Sequence, residues 1–146
     1  MESVLMRCGN CNSVIRVKVD KFNLQPKCSQ CKTPLTWPNR PVDITSKTYQ
    51  KEVTENPGFT LVEFWSPTCG YCHAMNPALE RFATDKAGIV KLAKINTMAE
   101  QTLASQFTLM GVPTFILFKG GRAIDQVNGA LEKEQFESWV THHLAG

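Results

Sequence analysis

No apolar stretch in this 146-residue chain approaches the roughly 20 residues that a membrane-spanning helix needs. The longest runs, GIVKLAKI and VPTFILF, have the length of buried strands. The opening MESVLMRCGNC lacks the basic-then-apolar layout of a secretion signal, which makes the cytoplasm the expected compartment and leaves no membrane role. Excess charge of one sign is also missing, with a formal net charge of only +3. That small value hides an asymmetry: residues 1–40 hold seven Lys or Arg against two acids, and residues 41–146 hold nine against eleven. A basic segment attracts nucleic acid when aromatics are interleaved with it, but here only Phe22 and Trp37 are available, so nucleic acid is not the expected partner. Large apolar residues are scarce in the same segment. A chain of about 40 residues so poor in core usually needs a metal, disulfides or a partner to stay folded. Across the whole chain, 42% hydrophobic and 20% charged residues exclude disorder and allow a globular core.

Cysteine, by contrast, is plentiful: six residues in three C-x-x-C pairs, CGNC at Cys8 and Cys11, CSQC at Cys28 and Cys31, and CGYC at Cys69 and Cys72. In a reducing compartment such pairs point to metal ligation or redox catalysis rather than a disulfide framework. Spacing alone does not say which pair does which. The first two form C-x2-C-x16-C-x2-C, the arrangement of a four-cysteine site for one structural Zn2+. Four thiolates on Zn2+ carry a net charge of −2, which the local positive excess offsets. Two disulfides or a redox role for these pairs are the alternatives. Between the pairs, VIRVKV alternates as a strand that can lead into a hairpin and bring Cys28 and Cys31 close. TWPNRP, residues 36–41, reads as a stiff linker dividing a metal module, 1–40, from a second domain, 41–146.

In the second domain the periodicity alternates. SKTYQKEV reads as helix with a cap at Ser46, FTLVEFW as a buried strand, residues 74–87 as helix, IVKLAKI as strand, and residues 100–107 as helix. TFILF and AIDQV are strands joined through the glycine pair of KGGR, and Phe136, Trp139, Val140 and Leu144 mark one face of a last helix. This order predicts an α/β fold, a mixed sheet flanked by helices on both faces.

CGYC falls where a strand ends and a helix begins. Cys69 is therefore expected at a helix N-terminus, where free N–H groups and the macrodipole favour a thiolate. C-x-x-C thiols in such settings have pKa values of roughly 3.5–7.5 against ~8.5 for free cysteine. Cys72, one turn further in, is expected to be more buried and to resolve a mixed disulfide formed by Cys69. Pro113 in GVPT precedes an apolar strand, a place where cis X-Pro bonds occur, and the backbone of Val112 is free to pair with an extended substrate. Glu63 lies in an otherwise apolar strand. It either accepts the Cys72 proton or simply pairs with a buried lysine, Lys94 being the candidate. Pro77 should kink its helix. His73 either tunes Cys69 or is solvated, and His142 and His143 are expected to be exposed.

Residues 44–144 resemble a thioredoxin: LVEFW, C-x-x-C after a strand, Pro77 five residues past Cys72, GVPT, FKGG and VNGA with Gly129 follow that family's order and spacing. The whole chain resembles those bacterial members that carry an N-terminal, zinc-ribbon-like module with two C-x-x-C pairs. The resemblance implies a thioredoxin fold and a protein-disulfide reductase, with Cys69 the nucleophile, Cys72 the resolving thiol, Pro113 a cis-proline beside them, and Cys8, Cys11, Cys28 and Cys31 the zinc ligands. It implies protein disulfides as substrates, a thioredoxin reductase or equivalent as electron donor, and a monomer. The chain departs from the family's W-C-G-P-C-K motif, with Thr68, Tyr71 and His73 at the varied positions, and Glu63 stands where Asp is usual. CGYC is similar to the motif of disulfide isomerases, so an oxidase or isomerase on the same fold is the second reading. An adaptor built on the zinc module is the third.

Overall fold

The computed structural model describes residues 3–18, 25–35 and 37–145. Strands β1 (Ser3–Arg7) and β2 (Val14–Lys18) form an antiparallel hairpin, with Ser3 opposite Lys18 and Arg7 opposite Val14. The VIRVKV strand therefore pairs backwards with SVLMR, a partner without clear periodicity. Its end at Val19 lies outside the described residues, as does Thr36 of the linker. A bridge between Lys27 and Pro34 closes the second cysteine loop. Met6, Val17, Leu35, Cys8 and Cys28 make a small buried cluster of their own.

The rest is a five-stranded sheet in the order β3 (Val42–Asp43), β5 (Val90–Asn96), β4 (Phe59–Trp65), β6 (Thr114–Lys119), β7 (Arg122–Asn128). β3, β5 and β4 run parallel, and β6 and β7 join antiparallel. The central strand β4 is a near-continuous apolar run because helical elements cover both its faces. Successive side chains point to opposite faces, so Leu61 meets Met75, Leu79 and Phe82 of helix α1 (Gly70–Asp85) and Phe136 and Val140 of helix α3 (Lys133–Ala145). Val62 and Phe64 face the other way, toward Val53 of a π-helical segment, Gln50–Thr54, and Leu103 of the short helix α2 (Gln101–Ala104). Each fully buried Leu or Phe in these layers stabilises the fold by roughly 1.5–3 kcal/mol relative to exposure.

Several expected boundaries move, each for a local reason. Thr45 and Thr48, not Ser46, satisfy the backbone ahead of the π-helical segment: Thr45 N–H donates to Thr48 Oγ1 and Lys47 N–H to Thr45 Oγ1, while Ser46 N–H donates to Glu100. Helix α2 ends at Ala104 because the chain then turns through tighter bonds, Gln106 to Leu103 and Phe107 to Ala104, that swing Phe107 onto Phe64. The β6–β7 hairpin closes at Gly120 and Gly121, both with positive φ, and a Cβ on Gly121 would collide with the Thr54 carbonyl.

Candidate functional site

Strand β4 delivers the chain to the CGYC motif through a turn held by Ser66. Its hydroxyl lies 2.9 Å from Thr68 Oγ1 and accepts the Thr68 N–H, and its carbonyl accepts the Cys69 N–H. Cys69 is then the N-cap of α1, with extended φ and ψ, and its sulfur accepts the Cys72 N–H at 3.1 Å. One orphan amide of the helix start, that of Cys72, thus points at the Cys69 sulfur, an arrangement that stabilises negative charge there. Cys69 and Cys72 are joined in a disulfide, with Cα atoms 5.3 Å apart. Cys69 is partly accessible and Cys72 buried, as expected from their helix positions. The Val112–Pro113 bond is cis, and the buried Pro113 carbonyl accepts the Gly129 N–H. His73 is exposed, with Nε2 2.8 Å from the Pro67 carbonyl and its ring edge-on to Trp65.

Glu63 lies at the middle of β4, completely buried, opposite Lys94 of β5 and Phe115 of β6. The Lys94 ammonium is 3.7 Å from Glu63 Oε1, and neither carboxylate oxygen has a hydrogen-bond partner among the described residues. Burial pushes the Glu63 carboxyl up to about 7, against the weaker pull of Lys94. Pairing with Lys94 and a titrating carboxyl therefore coexist. No sequence pattern points to Asn76, whose Oδ1 accepts from Lys94 at 2.9 Å.

The other two pairs come together in the N-terminal module. Cys8, Cys11, Cys28 and Cys31 place all four sulfurs within 4.8 Å of one another, a set able to hold a metal ion. Two of the separations, Cys8 to Cys31 and Cys11 to Cys28, are 3.6 Å. A tetrahedral ion with S ligands at about 2.3 Å requires ~3.8 Å between sulfurs, so the cluster fits. The loops are built alike. Cys8 N–H donates to Ser13 and Asn12 N–H to Cys8, while Cys28 N–H donates to Thr33 and Lys32 N–H to Cys28. Asn12 and Lys32 share a positive φ, and the N–H groups of Asn10 and Gln30 donate to Cys8 and Cys28 sulfurs at 3.4 Å. The Thr33 hydroxyl, 3.2 Å from Cys31 Sγ, and the Asn10 side-chain amide, 3.6 Å from it, draw the Cys31 thiol down to about 5. Ser13, Thr33 and Asn10 do not stand out as functional residues in the sequence, although the hydroxyl two residues after each pair is a visible repeat.

One expectation at the C-terminus is corrected. His143 is not simply exposed: its Nε2 lies 2.7 Å from Asp125 Oδ2, which also accepts the Trp139 indole N–H. The helical spacing of Trp139 and His143 puts both on the face toward β7. His142 is exposed.

The thioredoxin family model matches residues 40–142. The chain is 35% identical over 101 residues to thioredoxin 1 of Nostoc sp., covering 69% of this chain and 94% of that one. It is 47% identical over 84 residues to the thioredoxin of Alicyclobacillus acidocaldarius, covering 58% and 80%. Among solved structures, a point-mutant thioredoxin from Halobacterium salinarum superposes with a TM-score of 0.67 at 27% identity, over 74% of this chain and 94% of that one. The chain belongs to the thioredoxin family. It is an enzyme, a thiol–disulfide oxidoreductase, and a four-cysteine cluster compatible with a zinc module precedes its thioredoxin domain. Among the described residues no helix is long and apolar enough to cross a membrane.

Proposed function

We propose that the protein reduces disulfides in other proteins, with Cys69 as attacking thiolate and Cys72 as resolving thiol. The observation that carries this reading is the Cys69 sulfur at the start of α1, accepting the Cys72 N–H, with the Cys72 side chain buried behind it. In the reduced protein the Cys69 thiolate attacks one sulfur of the substrate disulfide, and the first substrate sulfur leaves as a thiolate. Cys72 gives its proton to Glu63, its sulfur bonds to that of Cys69, and the second substrate sulfur leaves. In this reading cis-Pro113 is the proline beside the pair, and the Val112 backbone offers an edge for an extended substrate segment. A thioredoxin reductase or an equivalent donor restores the dithiol. The setting is the cytoplasm and the working unit a monomer.

The division into a metal module, 1–40, and a thioredoxin domain, 41–146, belongs to the same proposal. Zn2+ is the metal, one per chain, held by Cys8, Cys11, Cys28 and Cys31, and it supplies the cohesion that a core of so few apolar residues lacks.

Tyr71 in CGYC favours a second reading, oxidation or isomerisation of disulfides on the same fold. The reduction potential of the Cys69–Cys72 couple in the zinc-loaded protein separates the two. A reductase requires a value near the roughly −270 mV of thioredoxins, whereas a value near about −120 to −180 mV, the range of oxidases and isomerases, would overturn the reductase reading.

A further inference from the structure

Lys94 stands between two acceptors and bonds only one. Its ammonium donates to Asn76 Oδ1 at 2.9 Å, while the nearer Glu63 oxygen is 3.7 Å away, beyond ordinary N–H···O distance. An ammonium beside a buried carboxylate normally closes on it, because a bond between two ionised groups contracts to ~2.7–2.9 Å and adds their mutual attraction. Here the neutral amide oxygen accepts the hydrogen bond instead. Both Glu63 oxygens are left without a partner among the described residues, at zero exposure. Asn76 sits in α1 just before Pro77, partly buried. With Lys94 it lines a pocket of about 310 Å³ that Arg40, Pro41, Asp43 and Glu80 share. The ammonium thus lies 2.9 Å from Asn76 Oδ1, 3.7 Å from Glu63 and 4.9 Å from the centre of the Trp65 ring.

We propose that Asn76 is a positioning residue of the dithiol centre: its side-chain oxygen anchors the Lys94 ammonium outside hydrogen-bonding distance of Glu63, leaving that carboxylate open to receive the Cys72 proton. The proposal rests on the reading of Glu63 as proton acceptor in the resolving step. There the S–H bond of Cys72 breaks and its proton passes to a Glu63 oxygen. The Cys72 sulfur bonds to Cys69 as the bond from Cys69 to the substrate sulfur breaks, and the substrate departs as thiolate. A Glu63 carboxylate bonded directly to Lys94 would be a weaker base, since a closer positive charge favours the ionised form.

Lys94 faces Glu63 from β5 and His73 acts on it from α1, while β6 offers only the apolar Phe115. Around Lys94 stand Asp43, its Cα partner on β3, and Arg40 and Glu80 across the pocket. Asn76 is neutral, so removing it frees Lys94 to move without changing the number of charges near Glu63.

The test titrates the Glu63 carboxyl by isotope-edited infrared spectroscopy in the oxidised protein and measures the pH profile of mixed-disulfide resolution in single turnovers. In Asn76→Ala the Glu63 midpoint falls by roughly 1 unit or more as Lys94 closes on it. The resolution profile moves to lower pH by the same amount. In a Lys94→Met background the same Asn76→Ala change leaves the midpoint where it was, which a purely structural effect on α1 would not do. A midpoint that does not move in Asn76→Ala, or moves equally with and without Lys94, overturns the proposal. A midpoint that falls while the resolution profile stays fixed overturns the proton-acceptor role of Glu63 and, with it, the place of Asn76 in catalysis, leaving Asn76 only as the anchor of Lys94.

Discussion

Asp125 Oδ2 accepts the indole N–H of Trp139 at 2.7 Å and thereby ties the last helix to β7, the edge strand of the sheet. His143 meets the same oxygen at 2.7 Å. The Trp139 bond first, and then His143, hold the Asp125 carboxyl below its ordinary range. Asp125→Asn should lower stability at pH 7 by about 1 kcal/mol, a modest figure because the carboxylate is partly solvated. A depressed carboxyl stabilises above its unfolded pKa of about 3.9 and loses that contribution as the pH falls through the lower folded value. The gap between parent and variant should therefore narrow in urea unfolding as the pH is brought down to about 3, and a gap as wide there as at neutral pH would contradict the assignment.

Glu63 has the opposite sign. Its folded value of about 7 lies above the ordinary 4.5, so across that window the native state binds more protons than the unfolded chain and stability falls as the pH rises. Glu63→Gln removes the titration. Relative to the parent, the oxidised variant should gain about 3 kcal/mol between roughly pH 4 and pH 8 in denaturant unfolding. A difference that stays constant with pH would show that Glu63 titrates alike in the folded and unfolded chains and would contradict its raised value. The same variant should resolve mixed disulfides more slowly near neutrality and approach the parent at alkaline pH, where solvent deprotonates Cys72.

Metal content tests the N-terminal module. Reduced protein prepared without chelator should carry about one Zn2+ per chain bound by four sulfurs, as structural sites usually do. Cys28→Ser should release it and collapse hydrogen-exchange protection in β1 and β2. Protection in β4, β5 and β6 should persist, because those strands have their own core and the module touches the domain through bonds such as that from Arg7 Nε to the Glu55 carbonyl, which that core does not need. Loss of protection in the central strands would contradict the two-domain division.

The elements legible in the sequence were those with one dominant local cause. FTLVEFW is apolar throughout because it is central, and KGGR closes a hairpin because its glycines accept positive φ. The three cysteine pairs stood out by their spacing, and the placement of CGYC at a strand-to-helix junction located Cys69 at the cap of α1. What remained hidden depends on contacts distant in sequence. β3 is two residues long and exists only because β5 lies beside it. Asn76 is one polar residue on a helix, and nothing in MNPAL tells of a lysine 18 residues further on. His143 reads as exposed because Asp125 lies 18 residues earlier, on another element. Pairing partners across the fold, more than element types, were what the sequence withheld.

Cys69 at the cap of α1 and Cys72 buried behind it should behave differently toward a substrate disulfide. Reduced Cys72→Ser and Cys69→Ser proteins are each mixed with a disulfide-containing protein substrate, quenched with acid, and examined by mass spectrometry for covalent adducts. The Cys72→Ser variant should accumulate a stable mixed disulfide through Cys69, since a serine hydroxyl cannot displace the substrate thiol, and the Cys69→Ser variant should trap little and reduce nothing. Equal trapping by both variants, or trapping through Cys72 alone, would contradict the account.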